Sequence, residues 1–133
     1  MCQRGARVVQ NDVLEVISDP DLRVYAVWEP ILKKDNEESA KQAPSLIPDP
    51  RVTHFWTPSR DVGTMFQAPI GLESEPAWDV YLVYAPGVRW GDSVPVPDTY
   101  QHQLGGRLPK DKRLDGAALA QRVEALLETA KAR

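Results

Sequence analysis

The sequence is poor in the residues that build covalent or metal-held scaffolds: its 133 residues include one cysteine and two histidines. A single Cys2 excludes an internal disulfide, and the three residues together fall short of the Cys/His set of a structural zinc site. Basic residues are also too few to dominate. Sixteen Lys+Arg stand against nineteen Asp+Glu, a formal charge of −3, so the electrostatic pull toward nucleic-acid phosphates or anionic membranes is missing and neither partner is expected. The longest apolar runs are about half a dozen residues, where a bilayer-spanning helix needs roughly 20. Met1-Cys2-Gln3-Arg4 leads into no signal-peptide core, so the chain reads as unexported and cytoplasmic. There is no Gly-Lys-Ser/Thr phosphate loop and no Gly-x-Ser-x-Gly elbow, and no cofactor is implied.

What is present fits one domain, residues 1–133, with 42% hydrophobic residues and twelve prolines that punctuate the chain. Ala6, Val9, Val13, Val16 and Ile17 recur at helical spacing and predict an amphipathic helix over Ala6–Ile17, stopped by Ser18-Asp19-Pro20. Leu22–Trp28 is rich in β-branched and aromatic residues and predicts a strand covered on both faces. Asp35–Gln42 places acidic residues where a helix N-terminus favours them and predicts a short exposed helix. Arg51–Trp56 reads as a second strand, followed by a helix over Ser59–Phe66 with Val62, Met65 and Phe66 buried. Asp79–Tyr84, apolar on both faces, predicts a strand of a parallel, buried sheet. Val94–Leu104 supports only an edge strand or loop. In the last helix Asp115 serves as cap, Leu114 and Leu119 as a hydrophobic staple, and Leu119, Val123, Leu126 and Leu127 as the apolar face. This alternation predicts an α/β sheet with right-handed crossovers.

Two local features narrow that class. Cys2-Gln3-Arg4-Gly5 puts a cysteine in the first turn of a helix, and Glu75-Pro76-Ala77 stands directly before the Asp79–Tyr84 strand. With the Val52–Trp56 strand, the Thr57-Pro58-Ser59 turn, the helix after it and Ile70-Gly71, this order resembles the thioredoxin-like superfamily, and more narrowly its peroxiredoxin and TlpA branch. The resemblance covers roughly residues 1–87 and, more weakly, the last helix. It implies a central mixed sheet flanked by helices, a Cys-x-x-Cys at a helix start, and a cis proline that presents backbone groups to substrate. Cys2 matches one cysteine of that motif and Pro76 the proline. If Cys2 is the first cysteine, Gly5 stands at the second position; if it is the second, its partner precedes Met1. The central strand that enters the motif has no counterpart here, which predicts an N-terminally truncated or one-cysteine variant. Such a domain would exchange thiols with a protein disulfide or a low-molecular-weight thiol, or serve as a redox-inactive protein-binding module.

The site residues implied are therefore Cys2 as the catalytic thiol, favoured by the helix N-terminus and by Arg4 and Arg7, with Glu75, Pro76 and Trp78 on the substrate side. Glu75 would bring a carboxylate toward the thiolate. His54 is expected in the core or half-buried, in a strand, with a hydrogen-bond partner, and His102 in a loop from which it could approach the site. Neither histidine has metal-ligand company. Oligomeric state is not written in the sequence.

Overall fold

Cys2 stands at the N-cap of helix α1 (Gln3–Val8), which runs directly into one wide turn, Val9–Leu14, whose hydrogen bonds reach back five residues rather than four. In the computed structural model, which describes residues 2–132, the Glu15 N–H donates to the Gln10 carbonyl at 3.0 Å and closes that turn. A wide turn adds a residue to the helical repeat and rotates the residues beyond it about the axis. Leu14, off the predicted stripe, is accordingly 2% exposed, and Val16, on it, is 62% exposed. The helical stretch begins and ends about three residues earlier than the predicted Ala6–Ile17.

Contacts group the chain into two compact units, Met1–Arg60 and Asp61–Arg133. In the first, strand β1 (Val24–Trp28) pairs in parallel with strand β2 (Val52–Trp56), Val24 opposite Val52 through Trp28 opposite Trp56. A parallel pair needs a crossover, and this one carries helix α2 (Glu37–Gln42). The start of α2 is fixed by a reciprocal cap. The Ser39 N–H donates to Asn36 Oδ1 at 2.9 Å, and the Asn36 N–H to Ser39 Oγ at 3.0 Å, a pairing worth about 1 kcal/mol. Asp35, just outside, is buried and accepts the Leu32 N–H at 2.8 Å.

The inner face of the β1–β2 pair packs Val24, Trp28 and Val52 against Ala6, Val9, Leu14, Leu22, Leu46 and Ile47. Its other face is open: Tyr25, Val27 and Phe55 are 66, 41 and 49% exposed. The expected two-sided burial of this strand is thus corrected, because β1 alternates like a half-covered strand despite its nearly continuous apolar run. Below the sheet, Arg51 ties three segments together. Its guanidinium donates to the carbonyls of Leu14, Ile17 and Asp19, and grips both carboxylate oxygens of Asp49 at 2.8 and 2.9 Å.

The second unit opens with helix α3 (Asp61–Met65), inside the predicted Ser59–Phe66, followed across a break by a further short helix, α4 (Gln67–Ile70), that the sequence reading did not include. Pro69 explains the break, since it has no N–H to donate to the carbonyl four residues back and its ring crowds that carbonyl. The predicted buried stripe changes too: Met65 is 49% exposed, and Gly63 is buried instead. Gly71, in the left-handed region at φ 73°, ends α4.

Strand β3 (Val80–Val83) pairs with strand β4 (Thr99–His102) in antiparallel fashion, Val80 opposite His102 through Val83 opposite Thr99. The parallel arrangement predicted from its apolar run is corrected; a short run that is half-buried at every position does not encode its partner's direction. Helix α5 (Gly116–Lys131) closes the unit, capped by Asp115, whose carboxylate accepts the Ala118 N–H at 3.0 Å. Leu119 and Val123 are buried as the spacing predicts. The core of this unit is Phe66, Ile70, Leu72, Ala77, Leu104 and Leu108, with Trp78, Leu82 and Tyr100 packed on it. The chain is α/β in content, but its strands form two separate two-stranded sheets rather than the one central mixed sheet expected. Among the described residues, no helix is long and apolar enough to cross a membrane.

Candidate functional site

The thiol of Cys2 is partly exposed, and its sulfur accepts the Gly5 N–H at 3.4 Å. The Cys2 backbone is extended, at φ −75° and ψ 100°, as an N-cap residue requires. The Cys-x-x-Gly spacing thus has a structural reason: a side chain at N-cap reaches the N–H three residues on, and Gly5 is buried there. A shallow depression beside it is lined by Gln3, Arg4, Arg7, Val8, Asn11 and Asp12. Cys2 itself does not line that depression.

Glu75, Pro76 and Trp78 lie together in the second unit, on the loop between α4 and β3. The Glu75 carboxylate is engaged at both oxygens, by the Arg107 guanidinium on Oε1 and by the Trp78 indole N–H on Oε2 at 3.2 Å. The Gln67 amide donates to the Glu75 carbonyl at 2.6 Å, and the buried Ala77 donates its N–H to the Gly63 carbonyl at 2.9 Å. Glu75 therefore ties the loop before β3 to the turn that carries Arg107. The contacts of Gln67 in α4 and of Arg107 with Glu75 were not legible in the sequence, because nothing local links them to it. All described peptide bonds are trans, Glu75–Pro76 included, against the cis proline implied by the resemblance.

The loop ends in strained backbone. Asp79 has φ 49°, the one non-glycine among the described residues in the left-handed region, and its carbonyl accepts the Gln103 N–H at 2.9 Å. Aspartate and asparagine tolerate this conformation far better than β-branched residues do. Asp79→Val is expected to lower unfolding free energy by about 1 to 2 kcal/mol. Asp79→Asn should cost distinctly less, as read from paired urea titrations.

His54 is half-buried and satisfied as expected, with the Trp28 indole N–H donating to Nδ1 at 3.1 Å and the two rings stacked. His102 departs from its expected loop position: it is the last residue of β4, wholly buried, with both ring nitrogens bonded. Trp90 is half-exposed and meets Phe66 edge-on at 5.3 Å. Among the described residues, no cluster of three or more His, Cys, Asp or Glu could hold a metal ion. No protein-family model, curated protein or solved structure matches the chain.

Proposed function

We propose that this chain is a thiol–disulfide exchange domain of the thioredoxin-like kind, acting through Cys2. The observation that carries the reading is the hydrogen bond from the Gly5 N–H to the Cys2 sulfur at the start of α1, a setting that favours thiolate at neutral pH. The Cys2 thiolate attacks one sulfur of a substrate disulfide, forming a mixed disulfide and releasing the other sulfur as a thiolate. With a single cysteine the cycle closes only when a second thiol, from a low-molecular-weight thiol or a protein partner, attacks the mixed disulfide and regenerates Cys2.

Alkylation of Cys2 as a function of pH, alongside disulfide-reductase turnover with glutathione as the second thiol, tests this directly. The expected result is a thiol that titrates below the ordinary value of about 8.5, and turnover that disappears in Cys2→Ser. An ordinary titration with no Cys2-dependent turnover would instead leave a redox-inactive binding module.

A further inference from the structure

We propose that two copies of the chain associate through β1, strand against strand and antiparallel, to make a continuous four-stranded sheet. A two-stranded parallel sheet with one open face is an incomplete structure, since parallel ladders are ordinarily covered on both faces and pairs of strands are marginal alone. Among the described residues no strand pairs with the other edge of β1. The ladder fixes which groups lie on that edge. Val24 N–H bonds the Arg51 carbonyl and Thr57 N–H the Trp28 carbonyl, so Val24, Ala26 and Trp28 direct their backbone groups toward β2. Tyr25 and Val27, between them, direct theirs away.

A second copy fits this edge in one register. With the two-fold axis at Ala26, Tyr25 of each chain faces Val27 of the other, and their outward N–H and C=O groups exchange as hydrogen-bonded pairs. The same axis sets Arg23 of one copy opposite Glu29 of the other, twice, at the two ends of the strand. Arg23, exposed ahead of the strand with its Nη1 on the Pro20 and Leu22 carbonyls, and Glu29 directly after the strand make the edge complementary in charge to itself and to no parallel arrangement of itself. The open face joins as well: Phe55 lies in register with Val27 of its own copy, and the two-fold sets that Val27 directly opposite Tyr25 of the other copy. Aromatic and β-branched residues directly opposite are favourable cross-strand pairs. The outer edge of β2 has no such symmetry, because a two-fold axis at its midpoint, His54, would set Arg51 opposite Thr57, which carries no charge.

Sedimentation equilibrium of the full chain, in reductant so that Cys2 does not cross-link, is the test. A dimer is expected at concentrations on the order of 100 µM, as suits a small interface. Arg23→Glu and Glu29→Arg each place two like-charged pairs at the joint, and each should weaken the dimer roughly tenfold. The double swap should restore it. Circular dichroism and thermal melts report whether the single variants stay folded, which their position at the strand ends favours. A chain that is monomeric at that concentration overturns the proposal, including the case in which some other strand occupies the edge. So does a dimer indifferent to the single swaps, or one that the double swap fails to rescue.

Discussion

Arg51→Ala is expected to lower the unfolding free energy by about 3 kcal/mol, measured by urea titration with circular dichroism as the readout. The side chain is 15% exposed and its partner Asp49 13%, and its five donors are spread over the Asp49 carboxylate and the carbonyls of Leu14, Ile17 and Asp19. Those carbonyls lie at and just beyond the C-terminal end of the opening helical stretch, where four acceptors lose their intrahelical donors. Truncation takes the guanidinium donors from the Leu14 and Ile17 carbonyls and from Asp49 Oδ2, at about 1 to 3 kcal/mol for each buried group and less where water reaches it, while the Asp19 carbonyl keeps the Leu22 N–H and Asp49 Oδ1 keeps the backbone N–H of residue 51. Arg51→Lys keeps the charge but not the planar fork, and should recover less than half of the loss. A loss below about 1 kcal/mol for the alanine variant would mean that the helix end and the β2 turn hold together without this residue.

The same pair predicts an acid dependence. Hydrogen bonding to the Arg51 guanidinium holds the Asp49 carboxyl below its ordinary range, against the opposing effect of burial. A folded-state pKa below the unfolded one means that the unfolded chain binds the proton first. The stability contributed is therefore complete above the unfolded value of about 3.9 and is lost as pH falls through the folded one. Wild type should lose stability more steeply than Asp49→Asn below about pH 4, and the two should run parallel between about pH 6 and 8.

Elements whose signals are local were legible in the sequence. β1, β2 and β3 announce themselves by β-branched and aromatic runs bounded by turn residues, and Asp115 caps α5 through a side chain that reaches only three residues ahead. What depends on distant partners was not. The wide turn at Val9–Leu14 exchanges Val16 for Leu14 in the core without any change of composition, and β3 carries no mark of its antiparallel pairing with β4. The candidate site divides along the same line. A cysteine with a glycine three residues on, at a helix tip, is a local pattern, and the Cys2 to Gly5 bond is there. The engagement of Glu75 by Arg107 joins the loop before β3 to a turn well beyond β4, and no spacing encodes it.

His102→Phe, a substitution of similar shape, is expected to cost about 2 to 4 kcal/mol, nearly all of it from unpaired backbone. His102 is wholly buried at the end of β4. Nδ1 accepts the Leu104 N–H at 3.0 Å, so the ring proton sits on Nε2 and is donated to the Pro109 carbonyl at 2.8 Å. The backbone around the ring is tied as well, since Leu114 N–H donates to the His102 carbonyl at 2.8 Å. Phenylalanine fills the space and satisfies neither ring contact. Partial mimics separate the two halves of the argument: His102→Asn places an acceptor near Nδ1 and should retain the Leu104 contact, whereas His102→Gln places a donor near Nε2 and should retain the Pro109 contact. Each should therefore be less destabilising than phenylalanine. Amide hydrogen exchange reads the same contacts one at a time, and the Leu104 amide should exchange faster in the phenylalanine and glutamine variants than in the asparagine variant. If all three variants exchange alike at Leu104, the histidine serves as packing and the polar pairing contributes little; if they order as stated, a single buried imidazole holds the turn between β4 and α5 in place.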